Sequence, residues 1–131
     1  MTNGYVIDIK KAAKENDAFR RVLVTAGKSQ LVLMSILPGE EIGAEVHDGD
    51  QVLYIVEGSG LAFINGARQR IDKGSIVFVP AGAHHNIVNT DHASMKLFTV
   101  YAPPQHAAGV VQLHREPEHV VAGARPQGSR R

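Results

Sequence analysis

Four residues in this chain have the types and the spacing to hold one metal ion: Glu45, His47, Gln51 and His85. Glu45-Val46-His47 sets a carboxylate and an imidazole two positions apart. In extended backbone such residues share a face, so both project toward one interior. Gln51 follows across an Asp48-Gly49-Asp50 turn, where the next strand returns its side chain beside them. His85 comes from far along the chain, after a Pro80-Ala81-Gly82 turn. Two imidazoles and a carboxylate form the donor set that holds Fe(II) and leaves coordination positions open. Gln51 either adds a neutral oxygen ligand or orients a ligand from behind. An inward, unpaired carboxylate is costly, so Glu45 between two inward histidines calls for a cation. Glu45 has a second role open to it, as a proton-transfer base instead of a ligand.

Short strands must position these residues. Leu31 to Leu37 is β-rich and stopped by Pro38-Gly39; Gln51 to Val56 ends at Gly58. Leu61 to Ile64 runs into Asn65-Gly66, a strong hairpin signal, and Ser75 to Val79 is stopped by Pro80. His85 to Val88 and Lys96 to Tyr101 complete the set. Strands punctuated by turns at this interval point to an all-β sandwich or barrel. Only Lys10 to Asn16 reads as helical, and Gly123 to Arg131 has the composition of a frayed end.

The turn residues and the donors together carry a family resemblance. Gly39, Glu45-x-His47, Gln51 and Gly58 resemble the first motif of the cupins, except that the cupin motif has His at the Glu45 position and Glu at the Gln51 position. Gly74, Pro80-x-Gly82, His85 and Asn89 are similar to the second cupin motif at every fixed position. Gly74, Pro80 and Gly82 alone would align by chance roughly once in 4,000 positions, given the usual abundance of Gly and Pro. The resemblance runs from Leu31 to Tyr101. It implies a single antiparallel jelly-roll β-barrel over residues 1–114, with a short N-terminal helical segment and a flexible tail over 115–131.

The resemblance also implies chemistry: one divalent ion (Mn, Fe, Ni or Zn) held by Glu45, His47, Gln51 and His85, and a small-molecule substrate. Cupins usually offer three His and one Glu, and dioxygenase-type cupins usually keep three His. Two His, one Glu and one Gln are similar instead to the phosphomannose isomerase type, although there Gln and Glu stand in the opposite order. A sugar-isomerase-like Lewis-acid and proton-transfer chemistry is therefore placed ahead of a metal-dependent dioxygenase. A non-enzymatic ligand-binding or sensing cupin is the third reading. Phosphosugars would need an inward Arg or Lys, and neither motif supplies one. A homodimer is implied, with Tyr5 to Ile9 as a strand able to pair with a partner's sheet edge.

Bulk properties exclude other classes. The net charge of +1 across 131 residues argues against nucleic acid as a partner. No run nears the roughly 18 apolar residues of a membrane helix, and the first residues lack a signal-peptide pattern. The chain has no Cys, which removes disulfide and thiolate chemistry and suits the cytoplasm.

The remaining candidates have blander expectations. Strand parity turns His84 outward; His92, His106, His114 and His119 read as exposed. The Tyr101-Ala102-Pro103-Pro104-Gln105-His106 stretch resembles a recurrent ending of small bacterial cupins that would cover the barrel mouth or a neighbouring subunit. Counting from Gln51 sends Leu53 and Ile55 inward and Tyr54 outward, and Phe78 and Phe98 are expected in the pocket wall. Tyr101 is expected to pack rather than to supply a phenol. Arg20-Arg21 reads as an exposed pair on a β-segment, with an anion clamp as the alternative.

Overall fold

The computed structural model describes residues 3–115. Of the tail expected over 115–131, all but Arg115 lies outside the described residues, as does His119. The described residues run through one helix and nine strands: α1 (Ile9–Glu15), β1 (Arg20–Thr25), β2 (Gln30–Ile36), β3 (Asp50–Glu57), β4 (Ser59–Ile64), β5 (Ala67–Asp72), β6 (Ile76–Val79), β7 (His85–Asn89), β8 (Met95–Ala102) and β9 (Val111–Gln112). They form a six-stranded sheet ordered β6-β3-β8-β2-β1-β9 and a three-stranded sheet ordered β5-β4-β7. Every pairing is antiparallel. This is the expected all-β jelly roll.

The core lies between the two sheets and follows from the period-two alternation of their strands. Val32, Met34, Leu53, Ile55 and Leu97 from the large sheet meet Ala62, Ile71 and Ile87 from the small one. Inward parity for Leu53 and Ile55 is as expected from Gln51. Phe78 and Phe98 differ from expectation. Phe78 is 56% exposed on the edge strand β6, where Val77 and Val79 are the inward residues. Phe98 faces outward and stacks on Tyr54, ring centroids 5.2 Å apart. The outer face of the large sheet is itself apolar, because α1 packs Ile9, Ala12 and Ala13 over Leu23, Leu33, Val56, Tyr54 and Phe98. A sheet covered on both faces carries apolar residues at both parities, so aromatic character alone does not select the inside.

Tyr5 to Ile9 is not a strand: residues 4–8 have no regular structure and Ile9 opens the helix. Asp8 caps that helix, its carboxylate accepting from Lys11 N, which diverts the segment away from strand pairing. At the other end Asn16 brackets Ala18 with its side-chain amide, and the Lys96 ammonium donates to Asn16 O at 2.6 Å.

Two turns set the mouth of the barrel. Asn65 (φ 48°) and Gly66 (φ 85°) make the left-handed hairpin turn between β4 and β5. Gly49 sits against the end of β8, where a Cβ would come within 2.5 Å of both the Ala102 carbonyl oxygen and Pro103 Cδ. Only glycine lets the strand leading to Gln51 pass so close to that backbone. Among the described residues no helix is long and apolar enough to cross a membrane.

Candidate metal centre

The segment carrying Glu45 and His47 is extended without being a regular strand. Two isolated bridges hold it, Glu41 to Val88 and Glu45 to His85. In the second, Glu45 N donates to His85 O and His85 N donates to Glu45 O, both at 2.9 Å. Residues so paired across an antiparallel ladder set their side chains on the same face. Gly82, with φ 84°, turns the chain back so that its N–H donates to His47 O at 2.8 Å. The two sequence motifs are thereby joined through the backbone at both donor positions.

Side-chain geometry follows from that frame. His47 Nε2 lies 3.1 Å from Glu45 Oε1, and His85 Nε2 lies 3.9 Å from the same oxygen. One donor atom from each of Glu45, His47 and His85 falls within a sphere of mutual distances under 4.8 Å. Adjacent ligands on an ion at about 2.1 Å stand roughly 3.0–3.4 Å apart, a spacing the Glu45–His47 pair already has at 3.1 Å and toward which His85, at 3.9 Å from the same oxygen, would have to move. The His85 ring is oriented by its Nδ1, 3.1 Å from the Ala83 carbonyl. A proton on Nδ1 leaves the Nε2 lone pair free, and Nε2 is buried with no hydrogen-bond partner.

Gln51 points inward and is 2% exposed. Its Nε2 donates to Thr99 Oγ1 at 3.0 Å, while its Oε1 is buried without a partner. Buried polar atoms are normally satisfied. Three here are not: His85 Nε2, His47 Nδ1 and Gln51 Oε1. An unpartnered imidazole nitrogen beside a carboxylate fits a divalent cation in donor chemistry, and the Gln51 amide oxygen is of a type that could add to it. His84 and His92 are exposed, as expected.

Electrostatics are consistent with an ionised carboxylate. Burial works to raise the Glu45 carboxyl, but the hydrogen bond and charge of His47, with Arg20 and His85 behind it, outweigh that and hold it below its ordinary value. Burial holds the His85 imidazole below its ordinary value, against the opposing Ala83 contact. The imidazole is thus kept in the neutral form that ligates.

Three side chains reach this pocket from outside the motifs. Tyr101, buried on β8 opposite Gln51, stands edge-on to His47 with centroids 5.6 Å apart. Burial pushes its phenol up. His106 stands edge-on to Tyr101 at 5.1 Å, and its Nε2 is buried and unpartnered. Burial holds its imidazole down at about 4. Gln30 fixes that segment, donating to His106 O at 2.7 Å and accepting from Gln105 N and His106 N. His106 was expected to be exposed. It is instead drawn over the mouth by a glutamine 76 positions earlier.

Arg20 is the larger departure. It is 7% exposed, on the same face of β1 as the core residue Val22, and its charge acts on Glu45, Tyr101 and His106. Arg21 alone faces outward, bonding Asn16 Oδ1. The Arg-Arg pair carries no sequence signal for which member is inward. Parity counted back from Val22 would have placed Arg20 inside, had Val22 been recognised as core.

A double-sheet barrel with two His and a Glu brought together defines a jelly roll with a group that could hold a metal ion. The chain belongs to the cupin family: the family profile described as Cupin domain matches residues 32–101. The YrkC protein of Bacillus subtilis is 41% identical over 115 residues, a match covering 82% of this chain and 61% of that protein. The chain thus corresponds to about three-fifths of that relative's length. The crystal structure of BH2720 from Bacillus halodurans superposes with a TM-score of 0.82 at 40% identity, covering 83% of this chain and 88% of that one. An oxalate-binding protein of Thermotoga maritima is 31% identical over 68 residues, covering 51% of this chain and 56% of that protein.

Proposed function

We propose that this protein is a mononuclear metal cupin in which Glu45, His47, Gln51 and His85 hold one Mn, Fe, Ni or Zn ion and a small oxygenated metabolite binds beside it. The observation that carries the reading is His85 Nε2, buried, unpartnered and 3.9 Å from the Glu45 oxygen that also meets His47 Nε2 at 3.1 Å. When bound, such an ion polarises a carbonyl or hydroxyl oxygen or lowers the pKa of a water. The chain's own residues do the rest. Ala83 O orients His85, Thr99 orients Gln51, and the ionised Glu45 serves as ligand or as proton acceptor. Tyr101 and His106 close the mouth and limit water.

Within this reading a sugar-isomerase-like proton transfer is placed ahead of a dioxygenase, on the Gln-for-Glu exchange at position 51. Deuterium incorporation from D₂O without O₂ consumption would support the first, and stoichiometric O₂ uptake the second. Pure ligand binding without turnover is the second reading, favoured by the oxalate-binding name of the Thermotoga maritima relative. We also propose a homodimer, formed without an N-terminal strand; exposed Ile76 and Phe78 on the edge strand β6 support it. A monomeric mass in solution would refute that.

Elemental analysis of untagged protein, purified without chelator and then offered each metal, tests the centre. One equivalent is expected, and His85→Ala and Glu45→Ala should each abolish uptake while unfolding stays cooperative. No uptake by the wild type, or full uptake by both variants, refutes the assignment.

A further inference from the structure

A guanidinium remains charged at any physiological pH, and burying one demands compensation. Arg20 is 7% exposed and opens β1, with Gln112 of β9 opposite it in the ladder. One nitrogen, Nη1, donates to Gln112 Oε1 at 2.6 Å. The guanidinium carbon lies 5.0 Å from the centre of the Phe19 ring. Its Nε is buried and has no hydrogen-bond partner. Among the described residues the groups around it are neutral: the Gln112 amide, the Tyr101 phenol, which feels its charge, and the His106 imidazole, whose Nε2 is also buried and unpartnered.

Among the described residues Arg20 makes no ion pair within 4.0 Å. Glu45 is the pocket carboxylate that feels it, and only at longer range. If Glu45 is committed to a divalent ion, the pocket holds a surplus of positive charge with no anion among the described residues to offset it. An anionic group on the ligand would supply that balance.

We infer that Arg20 is the anion-recognising residue of this pocket, Gln112 holding one side of its guanidinium so that the free Nε edge receives a carboxylate of a small substrate whose other oxygens face the metal centre. This rests on the metal reading above and adds the substrate class. A carboxylate fits better than a phosphate, because one planar fork with one edge already occupied offers few donors, whereas phosphate sites gather several. The motif residues Glu45 to His85 contain no inward cation, which set phosphosugars aside, but Arg20 enters from a strand outside both motifs.

Pyruvate and hydroxyacetone test this, being three-carbon ketones that differ in a carboxylate against a neutral hydroxymethyl group. Titration calorimetry on manganese-loaded wild type should show pyruvate bound at least about 10-fold more tightly than hydroxyacetone and than inorganic phosphate, the scale of one charge-assisted pair. Arg20→Gln should lose about 10-fold or more in pyruvate affinity, with manganese stoichiometry and hydroxyacetone binding unchanged. Arg20→Lys should recover part of it. Equal affinity for pyruvate and hydroxyacetone in the wild type would overturn the inference, as would undiminished pyruvate binding by Arg20→Gln. Tighter phosphate than pyruvate would overturn the carboxylate assignment. Should Arg20→Gln fail to unfold cooperatively, Arg20→Lys and the wild-type ligand series still decide. If no manganese binds, the metal reading fails separately, and the same pyruvate preference is then required of the metal-free protein.

Discussion

Gln30 offers the sharpest perturbation of the pocket mouth. It is 2% exposed, and its side-chain amide makes four hydrogen bonds: to Thr25 Oγ1 at 2.8 Å, to His106 O at 2.7 Å, and from Gln105 N at 3.1 Å and His106 N at 3.0 Å. Gln30→Leu keeps the volume but leaves three backbone groups of residues 105 and 106 without their partner. At about 1 kcal/mol net for each bond, the loss is about 3–4 kcal/mol. Burying the leucine methyls returns about 1 kcal/mol, leaving about 2–3 kcal/mol of destabilisation. Because the broken bonds belong to one segment, the effect should also appear locally. Protection of the Gln105 and His106 amides from hydrogen exchange should fall by about 30-fold or more, while amides of β2, β3 and β8 follow only the global change. Urea unfolding with unchanged slope measures the first quantity and exchange the second. A stability change under about 0.5 kcal/mol, with protection at residues 105 and 106 intact, would refute the view that Gln30 holds the mouth.

The other predictions are shorter. His106 has its folded pKa held at about 4, below the ordinary imidazole value. The unfolded chain therefore takes up this proton first, and the metal-free protein loses stability as pH falls from about 6.5 to 4. At about 1.4 kcal/mol per pKa unit the upper bound is about 3 kcal/mol, and His106→Asn should flatten that limb of the denaturation profile. Gly49→Ala places a methyl 2.5 Å from Ala102 O and Pro103 Cδ and should destabilise by about 1–3 kcal/mol in a thermal melt. Manganese at 100 times its dissociation constant should stabilise the wild type by about 2.7 kcal/mol, and His85→Ala should erase that gain.

The shared face of Glu45 and His47 was legible without the fold, since parity within one extended segment is a local property. His85 joins them as its turn implied, through the Glu45 to His85 bridge. The same rule set Leu53 and Ile55 inside and Tyr54 and His84 outside. Asn65-Gly66 announced its own hairpin through backbone preference alone. Tertiary structure decided what parity cannot carry from one element to the next. A count from Gln51 does not reach β1 or β8, because the pairings that set their phase, Tyr54 with Phe98 and Arg20 with Met34, exist only once the sheet has formed. Phe98 went outward because a helix happens to cover that face, and Phe78 because its strand lies at an edge. Asp8 turned an apparent first strand into the cap of that helix. Arg20 and His106 come from opposite ends of the barrel sequence and meet Tyr101 only after closure, because burial belongs to the assembled sheets and not to any one of their strands.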